Sequence, residues 1–536
     1  MPRFIVVTGG VLSGLGKGVT SASIGRILQS HGFSVMPIKI DGYLNTDAGT
    51  MNPYEHGEVY VTDDGGEIDL DIGHYERFLN LNLGKENNMT TGAVYGSVIA
   101  RERHGDYLGK TVQVIPHVTD EIKSRIMSVA KKPGIDFILI EVGGTVGDIE
   151  NMVFIEALRQ LSGENPGKFM FMHLSFVPTI LSGEHKTKPT QRSVKELQSL
   201  GIHPNVVLCR ADKPLEEAIK KKLALFCSVP EECVISNPDL PSLFEVPIVF
   251  EDQDLSEIVF RHFGTKGRGT DLKEWRKLVE KDKNPESEVT IALVGKYTHL
   301  EDAYLSIKES LHHAGVANSC KVNIRWVEAE NLHKAVKSGK GEEFLKGIDG
   351  VIVPGGFGVR GTEGKMDAIK FCRENKVPFM GICYGLHMAT IEFARNVCGM
   401  DRANTTESEK PTKYPVIHLI EDQKTKKDKG GTMRLGAYDC KLIPGTLAHK
   451  LYGQDEISER HRHRWEVNEE FVPELESKGL VISGRNPQSG LVEIIELPPE
   501  IHPYFIAGQF HPEFKSRVGK PAPFFDGLVK AAKKKK

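Results

Sequence analysis

The pattern of apolar and polar positions divides the chain into two runs of alternating strands and helices. Phe4 to Gly18, FIVVTGGVLSGLGKG, is an apolar, β-branched run that closes in glycines and a lysine. It predicts a buried strand, a glycine-rich turn and a helix from about Thr20 to Ser30. Further strands are expected at VMPIKID, DFILIEV, Phe169 to Val177, VVLCRAD and CVISNPDL. Helices are expected at Glu121 to Ala130, from the acidic turn at Asp148 through Leu161, and in an amphipathic stretch ended by Gly201. Strands alternating with helices predict a mostly parallel sheet. The stretch TMNPYEHGEVYVTDDGGEIDLDIGHYERF interrupts the pattern: it is polar, glycine-rich and weakly periodic, so it is expected to be irregular and functional.

A charged segment, Thr265 to Ser287, with Gly and Pro near its ends, reads as a connector around a short helix. VTIALVGKY then restarts a strand and glycine turn, followed by strands in GIDGVIVPGG, VPFMGIC, LVEIIEL and FIAGQF. The expected organisation is residues 1–265, a linker at 266–287, and a second α/β domain at 288–536. The polar run Glu421 to Gly431 is expected to be an exposed loop.

Composition narrows the class. A chain of 536 residues is too long for one ordinary core. Basic and acidic residues are interspersed and the net charge is −3, so no nucleic-acid-binding face is implied. The Lys533 to Lys536 run reads as a solvated tail. Eight cysteines without a CxxC pair argue against a zinc site or a disulfide framework and for a reducing compartment. No apolar run reaches membrane-spanning length and the first residues enter a core strand, so a cytoplasmic protein without a membrane partner is expected.

Two constellations carry chemistry. The first is the glycine-rich turn, whose backbone N–H groups and helix N-terminus suit phosphate, with Lys17 as the mobile charge. It departs from the strict phosphate-loop pattern at Val11, where glycine is expected, and at Gly18, where Ser or Thr is expected. Glu141 at one strand end, and Asp69 and Asp71 at another, offer the carboxylates that Mg²⁺ takes beside phosphate oxygens. Lys186, Lys188 and Gln191 precede a helix, where cations oppose the dipole unless an anion occupies the loop.

The second constellation is Gly-x-Cys-x-Gly around Cys383, a strand–turn–helix that exposes a thiol at a helix N-terminus. His511 and Glu513, at the end of another strand, supply a base and its orienting acid. Backbone amides near Gly356 and Phe357 suit an oxyanion. Such a triad forms a thioester with a carboxamide and releases ammonia. The remaining cysteines read as structural.

These residues resemble two known families. The C-terminal half resembles the class I glutamine amidotransferases, and the whole chain resembles the CTP synthases. The carrying stretches are VTGGVLSGLGKG, HGEVYVTDDGGEIDLDIGHYERF, GDYLGKTVQVIPHVTD, EVGGTVGDIE, GEHKTKPTQ, VPGGFGVRG, GGTMRLG, ERHRHRWEVN and QFHPEF. The resemblance implies an N-terminal, Rossmann-like domain with a deviant phosphate loop, followed by a class I amidotransferase α/β domain. It implies ATP-dependent amination of UTP through a 4-phosphorylated intermediate, with ammonia from glutamine passing through a channel that Pro53, His56 and Val59 match.

The site residues follow by resemblance. Gly14, Leu15, Gly16, Lys17, Gly18 and Val19 would hold ATP phosphates, Lys17 and Lys39 would serve phosphoryl transfer, and Pro238, Asp239 and Leu240 would contact adenine. Asp71 and Glu141 match the Mg²⁺ ligands, Asp71 standing at the ATP site as well. Ser13, Lys186, Thr187, Lys188, Pro189, Thr190, Gln191 and Lys222 match the UTP triphosphate site. Asp148, Ile149 and Glu150 match a segment that also takes CTP, which implies feedback inhibition. Gly356, Tyr384, Gly385, Leu386, His387, Glu407 and Arg464 are the expected glutamine contacts. GTP activation and a homotetramer are implied as well.

The chain departs from the family at Gly42, where proline is usual, at Tyr384 and His387, where Leu and Gln are usual, and mildly at Trp465. Two rival readings stay open from the sequence. One is a cobyrinate-type amidotransferase; the other is a nucleotide-switched assembly ATPase with a vestigial triad.

Overall fold

The computed structural model describes residues 1–181, 183–268, 272–409, 411–420, 423 and 430–535. Most of the expected loop at 421–431, part of the expected linker (269–271) and the last lysine of the tail lie outside the described residues. The chain forms two compact units, Met1–Ala48 with Asp71–Val279, and Gly49–Leu70 with Glu280–Lys536.

The first unit is built on a seven-stranded sheet, parallel throughout. Its order is Asn88–Thr90, Val35–Asp41, Phe137–Val142, Arg3–Gly9, Phe169–Phe176, Val206–Ala211, Val234–Pro238. The central strands are apolar on both faces because helices cover both, and Phe4, Val6, Ile138 and Ile140 are fully buried. The first strand lies mid-sheet, so the loop that follows it opens at the carboxyl ends of its neighbours, where ligands of open α/β sheets bind.

The weakly periodic stretch is more ordered than its pattern suggests. Asp71 does not sit at a strand end; it opens a helix, Asp71–Leu79, that packs its apolar face into the first unit. The helix of the expected connector, Lys273–Lys283, buries Trp275 against Phe78 and Phe244, at ring distances of 5.3 and 6.0 Å, and the indole N–H donates to the Phe244 carbonyl (2.6 Å). Few apolar residues mark this helix in the sequence, and one large aromatic anchors it.

The second unit holds a nine-stranded sheet: Cys320–Glu328, Ser287–Gly295, Gly350–Val353, Phe379–Ile382, Phe505–Gly508, Val492–Glu496, Val481–Arg485, Arg434–Leu442, Glu456–His463. The first five are parallel and the rest antiparallel. Residues 49–70 belong to this unit as an arm. Its short ladder, Tyr60–Val61 with Glu67–Ile68, is tied down by side chains. Arg460, fully buried, pairs with Asp63 (2.6 Å), Arg462 pairs with Glu67 (2.8 Å), and Tyr60 donates to the Phe514 carbonyl (2.8 Å). An arm so poor in apolar residues holds its place through charge-assisted bonds rather than through a core of its own.

Candidate active sites

In the first unit the turn between the strand Arg3–Gly9 and the helix Lys17–Ser30 takes left-handed backbone at Val11 (φ 78°), Gly14 (75°) and Gly16 (85°). Val11, where the strict pattern has glycine, thus adopts a backbone that favours glycine, at a cost on the order of 1–2 kcal/mol. The second departure has a steric cause: a Cβ on Gly18 would lie 2.3 Å from Asp71 Oδ1. A carboxylate from the Asp71 helix fills the place beside the helix start where the strict pattern puts a hydroxyl.

Around that carboxylate the cations are held by protein acceptors. Lys17 folds back over Gly9, where a Cβ would be 2.7 Å from its chain, and its ammonium donates to the Gly144 carbonyl (2.7 Å). Lys39 donates to Asp71 and to Glu141 (3.1 Å) and lies 3.6 Å from Asp41. The Tyr75 hydroxyl donates to Glu141 as well. Burial pushes the Glu141 carboxyl up and the Lys17 ammonium down. Burial also works against Asp71, but Lys39 and its other cationic neighbours outweigh it and hold that carboxyl below its usual range. Among the described residues no group of three or more His, Cys, Asp or Glu side chains is placed to hold a metal by itself.

The other predicted nucleotide contacts range from exposed to buried, with Thr187, Thr190 and Pro238 buried. Ser13, Asp148, Ile149, Glu150 and Lys222 face solvent. Thr187 stands just before the helix Lys188–Ser199, whose proline, Pro189, falls in the first turn, where a missing N–H costs nothing. Gln191 donates to the Thr187 hydroxyl (2.9 Å), Thr190 donates to the Phe176 carbonyl (2.9 Å), and Lys186 pairs with Glu184 (2.8 Å). Asp239 pairs with Arg210 (2.6 Å), which also donates to the Pro238 carbonyl (2.6 Å). Gly42 lies against the 148–151 segment: a Cβ there would be 2.6 Å from Asn151 Oδ1 and 3.0 Å from Glu150 Cβ, so the proline usual at this place would force these neighbours to shift.

In the second unit, one residue joins the strand Phe379–Ile382 to the helix Tyr384–Asn396, and it is Cys383, at φ 50°, ψ −100°. That backbone costs on the order of 1–3 kcal/mol in a non-glycine residue. Both flanking glycines are sterically required. A Cβ at Gly381 would lie 2.8 Å from Ala507 Cβ and 2.9 Å from Gly385 backbone, and one at Gly385 would lie 2.1 Å from the Val353 carbonyl oxygen. The strained turn is pinned by the Cys383 N–H donating to the Gly508 carbonyl (2.7 Å).

His511 Nδ1 lies 2.8 Å from Glu513 Oε1. The imidazole and Cys383 share the space over Gly355, where a Cβ would lie 2.9 Å from His511 Cε1 and 3.8 Å from Cys383 Cβ. Burial would pull His511 down, yet Glu513 and the Cys383 sulfur outweigh it and push the imidazole up to about 10. An imidazolium over a sulfur, with a carboxylate behind it, is poised to deliver a proton to a leaving nitrogen.

Cys383 and His511 open onto a cavity of about 730 Å³ whose wall includes Gly356, Glu407 and Arg464, together with Pro53 and Val59 of the arm. Glu407 accepts from the Gly358 N–H (2.6 Å), and burial raises its carboxyl. Arg464 donates to Gln423 (2.5 Å) and Thr432 (2.8 Å). Not every predicted residue stands on this wall. His56 is exposed elsewhere, and Tyr384, Gly385, Leu386 and His387 are buried, because the helix that leaves the elbow turns its first residues into the core.

Two lysines escaped the sequence reading. Lys296 donates to the Phe357 and Gly358 carbonyls, and Lys365 donates to Pro354 (3.2 Å). Both lie over the Tyr384 ring, at 5.4 and 4.9 Å, and burial pulls them down to about 8 and about 7. No motif marks them; only the fold places them behind the 354–358 loop.

Comparison with known proteins bears on both halves. Residues 3–265 match the CTP synthase N-terminus and residues 299–531 match glutamine amidotransferase class-I. The CTP synthase of Symbiobacterium thermophilum is 55% identical over 99% of this chain and 98% of its own length. That of Thermococcus gammatolerans is 54% identical over 100% and 99%, and that of Methanocaldococcus jannaschii 55% identical over 99% and 98%. Among solved structures, a Trypanosoma brucei glutaminase domain is 35% identical over 46% of this chain and 94% of its own, with a TM-score of 0.42. With both halves matched and full-length relatives at more than half identity, this chain belongs to the CTP synthase family.

Proposed function

We propose that this chain makes CTP from UTP with nitrogen taken from glutamine, and that its two centres divide the work. The observation that carries this reading is the Cys383 elbow with His511 and Glu513 beside a cavity walled by Glu407 and Arg464, in a chain that also carries the Lys17 turn. Glutamine fits that wall by charge: Arg464 suits its α-carboxylate and Glu407 its α-ammonium. The Cys383 thiolate attacks the carboxamide carbon, and N–H groups at Gly356 and Phe357 receive the oxyanion. His511 gives its proton to the leaving nitrogen, ammonia departs, and water then hydrolyses the thioester with His511 as base. Pro53 and Val59, on the same cavity, suit the passage of uncharged ammonia, as does His56 by resemblance.

In the first unit the turn from Gly14 to Val19 suits ATP phosphates. Lys17, released from the Gly144 carbonyl, and Lys39 would neutralise the phosphoryl group as it passes to the uracil 4-oxygen. Ammonia then attacks C4 and phosphate leaves with the former oxygen. Asp71 and Glu141 fit Mg²⁺, a hard cation that takes one or two carboxylates along with phosphate oxygens. When bound, it would neutralise charge on the phosphates. Asp71 is suited to this because its carboxylate abuts Gly18 at the start of the phosphate-binding helix.

Ser13, Lys186 to Gln191 and Lys222 suit the UTP triphosphate, Asp148 to Glu150 suit UTP and the inhibitor CTP, and Pro238 to Leu240 suit adenine. GTP activation, tetramer formation and a cytoplasmic location belong to the same reading. Among the described residues no helix is long and apolar enough to cross a membrane. The domain roles are read as nucleotide chemistry in residues 1–265 and glutamine hydrolysis in 288–536.

The test is product analysis of the purified protein with ATP, Mg²⁺ and UTP, supplied in parallel with glutamine and with ammonium. CTP is expected from both, and Cys383→Ala is expected to abolish only the glutamine-dependent product. ATP hydrolysis without CTP from either source would overturn the reading in favour of an assembly ATPase.

A further inference from the structure

Gln509 forms no part of the triad in the sequence, yet the fold brings it to the same sulfur. The strands Phe379–Ile382 and Phe505–Gly508 pair in parallel, with Ile382 beside Gly508. The residues that follow, Cys383 and Gln509, therefore leave the sheet side by side. Gln509 and Phe510 form a bend beyond the strand end. Phe510 is buried in an apolar cluster with Ile382 and Phe524, while Gln509 and His511 on either side of it reach Cys383.

Gln509 Nε2 lies 3.7 Å from Cys383 Sγ, and Gln509 Oε1 lies 2.9 Å from His387 Nε2. His387 is four residues past Cys383, hence on the same face of its helix. Gln509 and His387 are 0% and 2% exposed, so neither amide nor imidazole has water as an alternative partner.

The chemistry selects one arrangement of this relay. A carboxamide can turn either its oxygen or its N–H₂ toward the sulfur. Oxygen against a sulfur that carries negative charge is repulsive, whereas N–H₂ donates to it. With the N–H₂ on the sulfur, the Gln509 oxygen faces His387 and needs a hydrogen on Nε2. Burial pulls His387 down to about 4, so its ring is neutral and carries one hydrogen. The Gln509 oxygen, 2.9 Å from His387 Nε2, draws that hydrogen to Nε2.

We infer that Gln509 donates a hydrogen bond to the Cys383 sulfur, and that His387 is a positioning residue that fixes the Gln509 carboxamide with its N–H toward that sulfur. The inference rests on the reading of Cys383 as the nucleophile. It assigns the departure at 387 to the nucleophile and not to glutamine contact, in keeping with its absence from the cavity wall.

The test uses the full-length protein and two readouts: the rate of Cys383 alkylation by iodoacetamide near neutral pH, and CTP formation with glutamine or ammonium. Gln509→Met keeps the volume and removes the donor. It is expected to slow alkylation and glutamine-dependent turnover by ~10- to 100-fold, the range for a hydrogen bond to a charged group, with ammonium-dependent turnover unchanged. His387→Leu frees the amide to turn and is expected to cost less. The double variant is expected to be no worse than Gln509→Met alone, because both changes break one relay. His387→Gln, which can still donate to Gln509 Oε1, is expected to restore most of the rate.

Parent-like alkylation of Gln509→Met, or independent multiplication of the two losses, overturns the inference. Should Gln509→Met fail to fold, the His387→Leu and His387→Gln pair decides: alkylation slowed in the first and restored in the second supports it, and equal rates overturn it. Cys383→Ala separates the two levels, since glutamine-dependent turnover surviving that change would overturn the nucleophile itself.

Discussion

In the first unit the two lysines of the proposed ATP site rest on protein acceptors, Lys17 on the Gly144 carbonyl and Lys39 between Asp71 and Glu141, and the proposed triphosphate contacts run from exposed Ser13, Lys188 and Lys222 to buried Thr187 and Thr190. In the second unit the proposed nucleophile is already strained and faced by its proposed partners: Cys383 at φ 50°, His511 pushed up to about 10, Gly381 and Gly385 locked by close contact. The difference follows from the ligands. A polyphosphate brings its own charge and must displace the contacts that hold the lysines, so the site is satisfied without it. A neutral carboxamide brings no charge to organise a site, so the fold must organise the thiol, the base and the oxyanion donors beforehand.

This comparison can be broken in order of effect. Cys383→Ala is expected to remove glutamine-dependent CTP formation by on the order of 10³-fold or more and spare the ammonium-dependent rate, whereas Lys17→Ala should lose both. Equal behaviour of the two variants toward the two nitrogen sources would erase the division. Trp275→Ala should destabilise the first unit by about 3–5 kcal/mol, read from denaturant midpoints, because it empties the site between Phe78 and Phe244. An unchanged midpoint would mean that the Lys273–Lys283 helix adds nothing there.

Gly18→Ser restores the strict phosphate-loop residue but drives a side chain into Asp71. We expect ATP affinity to fall by about 10-fold, with both nitrogen sources affected alike. Tighter ATP binding would show that Asp71 does not replace the hydroxyl.

A further difference is a pH dependence confined to the second unit. His511 is raised from its ordinary 6.5 to about 10, so the folded state holds its proton more tightly than the unfolded chain does. Its contribution to stability is fully present below about 6.5 and is lost as pH rises through about 10. Melting temperatures from pH 6 to 10.5 should therefore converge between the parent and His511→Gln as pH rises. A gap that stays constant would contradict an imidazolium in the native state.

Several of these features could be read from local pattern. The strand ends that carry Glu141, Cys383 and His511 are apolar runs bounded by glycine or polar residues, and short-range stereochemistry is enough to predict a turn there. The helix at Asp71 was not legible, because its apolar face is short and lies within a polar stretch. Gln509 was nearly legible, since it stands two residues before His511 in AGQFHPEF. What hides it is that Cys383 and Gln509 are 126 residues apart in sequence.

The sequence by itself determined two α/β halves and pointed to a glycine-rich turn proposed for phosphate and a cysteine elbow with a proposed base and acid, since each depends on neighbours within a few residues or on side-chain chemistry alone. Tertiary structure decided what those residues touch. It decided that Asp71 fills the space over Gly18, that residues 49–70 serve as an arm of the second unit, and that Lys296 and Lys365 stand behind the 354–358 loop. It also decided that His387 turns from the cavity to Gln509. These are contacts between chain segments far apart in sequence, set by strand pairing and close packing, and no local pattern encodes which distant side chain will occupy a given space.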